Sequence, residues 1–191
     1  MNRILHPLPA PSVSACLFAA IELASLRGRA DSLLALAAAR GVRLPPLGRI
    51  EACAGGVVLG VRPERWLLLL ARSGAERQLE AWTAAAAATA AVIDLSSALA
   101  GFRLSSVHRG DTLHRLGCRL DLDRFEPGTA AATTIAQTAT IVARYGQDWL
   151  LLCAASYGAH LGHWLSHNLA AHRGTAAAPT SIGEWPGDVR P

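Results

Sequence analysis

The chain carries an internal near-repeat, and this constrains its fold more than any other feature. Its first copy reads Arg65-Trp66-Leu67-Leu68-Leu69-Leu70-Ala71-Arg72-Ser73, followed by a helical stretch reaching Trp82. The second reads Asp148-Trp149-Leu150-Leu151-Leu152-Cys153-Ala154-Ala155-Ser156, followed by a helical stretch reaching Trp164. In each copy a polar turn precedes a Trp-led apolar strand. Ser73 and Ser156 stand where a helix N-cap belongs, where a hydroxyl oxygen accepts from an orphan amide. The turns ahead of the Trp strands correspond too. Arg62-Pro63-Glu64 separates Val57–Val61 from the first, and Gly146-Gln147 separates Ile141–Tyr145 from the second. A Gly-X pair suits a two-residue hairpin turn because glycine tolerates positive φ.

Upstream the parallel continues. Phe18–Leu26 reads as a strand and Asp31–Arg40 as a helix with Leu33, Leu34 and Ala37 on one face. In the second half Gly101–Ser105 reads as a strand, and His108–Gly117 as a helix with Leu113 and Leu116 inward. Val92–Leu95 is a further strand joining the halves. Each half is thus strand, helix, strand, strand, helix, most of a split βαβ unit used twice. The expected fold class is α+β, two ferredoxin-like (βαββα) repeats sharing a core. The domain spans 17–172, with halves of about 17–97 and 98–172. Residues 1–16 form an N-terminal extension, and 173–191, rich in Ala, Pro and Gly, a flexible C-terminal tail.

Composition excludes several chemistries. Of 191 residues, 51% are hydrophobic and 17% charged, so the chain is not a disordered linker. All 18 basic residues are Arg, which rules out Schiff-base and phosphate-loop lysines. The net charge of +4 comes from scattered arginines, and three Phe and two Tyr offer little stacking surface, so nucleic acid is not an expected partner. Cys16, Cys53, Cys118 and Cys153 have no CxxC spacing, and a reducing cytoplasm suits them as small buried hydrophobes. Prolines at 7, 9 and 11 interrupt any signal-peptide core, and no apolar window suits a membrane helix.

Candidate chemistry is sparse. His160, His163 and His167 share one helix face by their spacing, opposite Tyr157, Leu161, Trp164, Leu165 and Leu169. Two imidazoles at i, i+4 can hold zinc, but no HExxH glutamate or nearby carboxylate completes a site, so no metal is expected. Asp121 and Asp123 form an acid pair if strand-borne, or a turn after a helix. Ser96, Ser97, Ser105 and Ser106 lie in no GxSxG elbow, and Gly55-Gly56 does not extend to a dinucleotide fingerprint. No catalytic, cofactor-binding or metal residues are therefore assigned. The residues assigned to a partner interface are Arg62, Pro63 and Glu64 at the first hairpin turn and Trp185 in the tail, Trp being enriched among binding hot spots.

Several segments together carry a resemblance. They are Gly60-Val61-Arg62-Pro63-Glu64-Arg65-Trp66-Leu67-Leu68-Leu69, Val92-Ile93-Asp94-Leu95-Ser96-Ser97 and Phe102-Arg103-Leu104-Ser105. Leu113 to Asp123, Phe125-Glu126-Pro127-Gly128, Ser156-Tyr157 and His163-Trp164-Leu165 follow in order. Over residues 17–172 the chain resembles the gamma subunit family of heterotetrameric sarcosine oxidase. That family is related to the folate-binding domain of glycine-cleavage aminomethyltransferase, and the resemblance implies the same duplicated fold. It implies a complex that oxidises the N-methyl group of sarcosine through a flavin, giving glycine, hydrogen peroxide and a one-carbon unit for tetrahydrofolate. It places FAD, FMN, NAD and the tetrahydrofolate site in alpha and beta subunits and zinc in a delta subunit, with none bound by this chain.

Departures from the transferase pattern point the same way. Thr138-Ala139-Thr140 stands where the transferase has acidic residues, and Ala154-Ala155 where it has Asn-Ala. Without a carboxylate to hold a folate nitrogen or amine, proton transfer lacks an agent. Relative to the gamma pattern, Ser106 replaces a Gly and Ala132 a Gln. The resulting expectation is a non-catalytic gamma subunit that supports assembly. The alternatives are a stand-alone folate-binding or one-carbon-transfer protein, and a scaffold unconnected with amine oxidation.

Overall fold

A computed structural model of the chain describes residues 11–105, 113, 116–121, 125–171 and 175–182. The strands of the first part are β1 (Ser12–Leu17), β2 (Ala19–Ser25), β3 (Ile50–Cys53), β4 (Gly56–Arg62), β5 (Arg65–Leu70) and β6 (Ala90–Asp94). Those of the second are β7 (Leu99–Ser105), β8 (Ala130–Ile135), β9 (Thr138–Tyr145), β10 (Asp148–Ala154), β11 (Thr175–Ala176) and β12 (Thr180–Ser181). Helices α1 (Ala30–Ala39), α2 (Ala75–Ala86) and α3 (Gly158–Ala170) complete a mixed α+β architecture. Among the described residues no helix is long and apolar enough to cross a membrane.

Two sheets stack face to face, with α1 and α2 on the outer side of one and α3 on the outer side of the other. One has the order β3-β4-β5-β2-β6; the other runs β8-β9-β10-β7-β1 and continues to β11, with β12 also on β1. The Trp-led runs are the central strands β5 and β10. Their unbroken hydrophobicity follows from burial on both faces, with side chains alternating between them. Trp66, Leu68 and Leu70 enter the core under α1 and α2, while Leu67 and Leu69 enter the core between the sheets. In β10, Trp149, Leu151 and Cys153 face α3, while Leu150 and Leu152 face the other sheet. Apolar residues on both sides of a strand are what hold a two-layer stack of this kind.

The two sheet orders coincide once β1 is set against β6. Chain order puts β6 after α2, where it pairs antiparallel with β2. The matching place beside β7 is taken by β1, from the start of the chain. Each half thus contributes a strand to the other's sheet. Residues 12–16, expected to lie in an extension, are therefore part of β1. Pro11 precedes the strand without breaking it, because a proline is tolerated at a strand's first residue. Its carbonyl accepts from Thr175 N at 3.0 Å. Part of the expected flexible tail is likewise ordered: β11 and β12 run parallel to β1, and Ile182 is buried. Trp185 lies outside the described residues.

A reciprocal contact joins the sheets at the far corner. Ile50 N donates to Gly128 O at 2.9 Å and Ala130 N to Gly48 O at 2.7 Å. Gly48 and Gly128 both have positive φ, +77° and +84°, so the same left-handed bend occurs in each half.

Some local expectations change. α2 starts after Gly74 and α3 after a 3-10 turn over Ala155–Tyr157, and neither start has a side-chain cap from Ser73 or Ser156. On α1, Leu33 and Ala37 are buried and Leu36 packs beside them, while Leu34 is exposed, since i and i+4 share a face and i+1 turns away. Tyr157 is exposed rather than in the stripe of Leu161, Leu165 and Leu169. Most of the expected helix His108–Gly117 lies outside the described residues, but Leu113 and Leu116 are fully buried in the α3-side core. The short edge strands β3 and β8 were not expected.

Candidate functional site

The chain crosses between the sheets twice, and the crossings lie side by side. Phe18 links β1 to β2, and residues 95–98 link β6 to β7. Phe18 is buried, and its ring fills the space over Gly101, where an added Cβ would approach it to 2.4 Å. Gly101 thus lets β7 and the Phe18 crossing meet. Arg72 Nε donates to Phe18 O at 3.3 Å, and Ala20 N donates to Ser96 Oγ at 3.0 Å. Ser96 N in turn donates to Asp94 Oδ1 at 2.8 Å. Hydrogen bonds from the Ser96 side chain and backbone hold the Asp94 carboxyl below its usual range.

Cavities open on both sides of this crossing. One of about 270 Å³ is lined by Arg72, Glu76, Leu79 and Asp94. The other, of about 420 Å³, is lined by Cys16, Gly101, Phe102, Gly158 and Ala159, with Phe18, Arg72 and Ser96 shared between them. Their polar groups suit binding more than proton transfer. Among the described residues no His lines either cavity, and Ser96 Oγ is engaged with a backbone amide. Burial pushes the Cys16 thiol up to about 12 against the pull of Arg103, so it is a neutral thiol at pH 7. A third cavity, of about 400 Å³, lies beside Arg40, Cys53, Gln78 and Trp82, with burial pushing Cys53 up to about 11. These cavities were missed in the sequence because their walls come from segments far apart in the chain.

The candidate partner turn is held to the body of the protein. Arg62 pairs with Arg65 across a two-residue loop, Pro63-Glu64, and Glu64 has φ +56°. Glu64 O accepts from Ser25 N at 3.0 Å and its carboxylate accepts from Ser25 Oγ at 2.6 Å. Arg62 and Pro63 stay exposed, next to the exposed Leu26 that follows β2.

The other singled-out residues do not converge. His160, His163 and His167 lie on the exposed face of α3, with the rings of His163 and His167 stacked at 6.3 Å. His160 Nε2 lies 3.4 Å from Ala136 O. Among the described residues no group of three or more His, Cys, Asp or Glu could hold a metal ion. Asp121 is exposed, while Asp123 and Ser106 lie outside the described residues. Ser105 ends β7.

One pair of contacts repeats with its charges reversed. Arg65 Nη1 donates to Glu22 Oε1 at 2.9 Å in the first half. In the second, Arg103 Nε donates to Asp148 Oδ2 at 2.9 Å. Glu22 and Arg103 hold matching places, opposite Leu67 and Leu150 respectively. Both pairs sit where the inner face of a sheet emerges from beneath the other.

No protein-family model and no curated protein matches the sequence. The fold is shared with aminomethyltransferase T of the glycine cleavage system from Bartonella henselae, at a TM-score of 0.65 and 13% identity. That match covers 91% of this chain and 49% of the transferase, so this chain spans about half its length. The chain is also similar to a chain of heterotetrameric sarcosine oxidase from Corynebacterium sp. U-96, with a TM-score of 0.73 and 26% identity. The match covers 87% of each chain, so the two are of comparable length.

Proposed function

We propose that this chain is the non-catalytic gamma subunit of a heterotetrameric, flavin-dependent sarcosine oxidase, a cytoplasmic complex. In this reading it packs against alpha, beta and delta subunits and supports their assembly. The observation that carries it is the end-to-end similarity to a chain of the Corynebacterium sarcosine oxidase, at 26% identity over 87% of both. The neutral Cys16 thiol and the engaged Ser96 hydroxyl at the cavity of about 420 Å³ fit a chain that does not itself do the chemistry. FAD, FMN, NAD, tetrahydrofolate and zinc are assigned to the partner subunits, and Arg62, Pro63, Glu64 and Trp185 to the contact with them. We also read the halves as two ferredoxin-like repeats. The matching strand orders support this, with β1 and β6 exchanged between halves.

The test is to tag the chain in its native cell, isolate it gently, and record the absorbance spectrum and the masses that accompany it. The expected result is a yellow complex with a large and a medium flavoprotein and a small zinc-binding chain, oxidising sarcosine. A colourless chain recovered alone contradicts the reading. Tight tetrahydrofolate binding by that isolated chain then supports the stand-alone folate-protein alternative.

A further inference from the structure

The outer edges of the two sheets differ. In the second sheet the edge strand β1 is covered by this chain's own segment, β11 and β12 lying parallel to it. Thr175 N donates to Pro11 O at 3.0 Å and Ala177 N to Val13 O at 2.7 Å. Ser14 is buried and its hydroxyl lies 3.3 Å from Thr180 Oγ1. In the first sheet the matching strand is β6, and among the described residues no strand pairs with its outer side.

The register shows which backbone groups face outward. Leu95 N donates to Ala20 O at 2.8 Å and Leu26 N to Thr89 O at 2.9 Å, which fixes the hydrogen-bonded pairs. Antiparallel pairs alternate, so Ala91 and Ile93 bond to β2, while the amides and carbonyls of Ala90, Val92 and Asp94 point away from it. Ile93 pairs with Glu22 as Ser14 pairs with Arg103, so Ile93 and Ser14 are counterparts. The polar counterpart is 6% exposed and the aliphatic one 41% exposed. An unpaired strand edge next to an exposed aliphatic side chain is a template for strand addition.

We propose that the free edge of β6 takes up an extended segment of a partner subunit, laid parallel to β6 as β11 and β12 are laid on β1. This inference rests on the subunit reading above. Charge sets the occupant's chemistry. The exposed Arg27 and Arg29 follow Leu26, whose N–H donates to Thr89 O just ahead of β6, and Asp94 stands at the strand's end. A parallel segment that fits therefore has an acidic residue near its start, an aliphatic residue against Ile93, and a basic residue near its end. The Arg62-Pro63-Glu64 turn is continuous with this surface, through Ser25 and Leu26.

The experiment is hydrogen exchange on the isolated chain and on the flavoprotein complex, followed by variants. The amides of Ala90, Val92 and Asp94 exchange fast in the free chain and slow by about tenfold or more in the complex. Val92→Pro removes an outward N–H together with the Val92 side chain packed on the helix-side core, and leaves pairing with β2 in place; measured against Val92→Ala, which loses the packing alone, it weakens assembly by about tenfold or more. Ile93→Lys, which alters no backbone group, weakens it in the same direction. Unchanged exchange in the complex, or normal assembly by a folded Val92→Pro chain, overturns the inference and leaves the subunit reading standing. Protection already present in the monomeric free chain overturns it in favour of a segment of this chain. A concentration-dependent dimer abolished by Val92→Pro overturns it in favour of a second copy. A wild-type chain that assembles with no flavoprotein sinks both readings.

Discussion

The two halves share a strand order and differ in what closes them. In the first sheet, β6 arrives next in the chain after α2, and among the described residues no strand covers its outer edge. In the second, β1 comes from the opposite end of the sequence and its edge is covered by residues 175–181. Central strands are fixed by burial on both faces and change little between halves. The edges and ion pairs, where burial constrains less, are where the halves differ.

Substitutions distinguish the two halves, and the largest effect belongs to the shared feature. Trp66 is buried, and its indole N–H donates to Pro45 O at 2.8 Å. Trp149 is buried, stacks on Phe125 at 5.6 Å and lies under Arg144 at 5.5 Å. Trp66→Ala and Trp149→Ala should each cost about 3–5 kcal/mol of stability, measured by urea unfolding. Loss in only one half breaks the claim that the central strands are equivalent. Ile182→Ala comes next, at about 2–4 kcal/mol, because Ile182 closes the inter-sheet core from the covered edge. Ile93→Ala, its foil on the open edge, should cost the free chain under about 1 kcal/mol.

The reversed ion pairs give a smaller effect. Arg103 and Asp148 side chains are 18% and 17% exposed, against 46% and 17% for Arg65 and Glu22. A double-mutant cycle should find about 1 kcal/mol of coupling in the more covered pair and less in the other. Equal values would show that the halves do not differ here.

The smallest effect is at alkaline pH. Burial raises Cys16 to about 12 and Cys53 to about 11, so the folded state favours the protonated thiols. Their contribution to stability is complete below the unfolded thiol pKa of about 8.5 and is lost as pH rises towards those folded values. Cys16→Ala should flatten stability against pH above that point more than Cys53→Ala does. A steeper slope in either variant contradicts the assignment.

Much of the fold was legible where one segment dictates its own burial. The Trp-Leu-Leu-Leu runs, the turns at Pro63 and Gly146, and the helices reaching Trp82 and Trp164 are of this kind. The pairing of β1 with β7 was not legible, because strand partners from opposite ends of a chain leave no local signal. The serine caps failed because Gly74, with φ +81°, takes the position before α2, and a 3-10 turn precedes α3. At the candidate site the Arg62–Glu64 turn was visible as a turn, whereas its tether to Ser25 was not. The crossing of Phe18, Arg72, Ser96 and Gly101 joins four separate segments; a glycine inside a strand was its one visible sign.

The most direct test of the central claim is sedimentation of the gently isolated, tagged chain, followed simultaneously at 280 nm and at the flavin band near 450 nm (roughly, for an oxidised flavin). The account predicts one boundary, far larger than this 20.0 kDa chain, with both absorbances moving together. A slow, colourless boundary of the size of the single chain would contradict it.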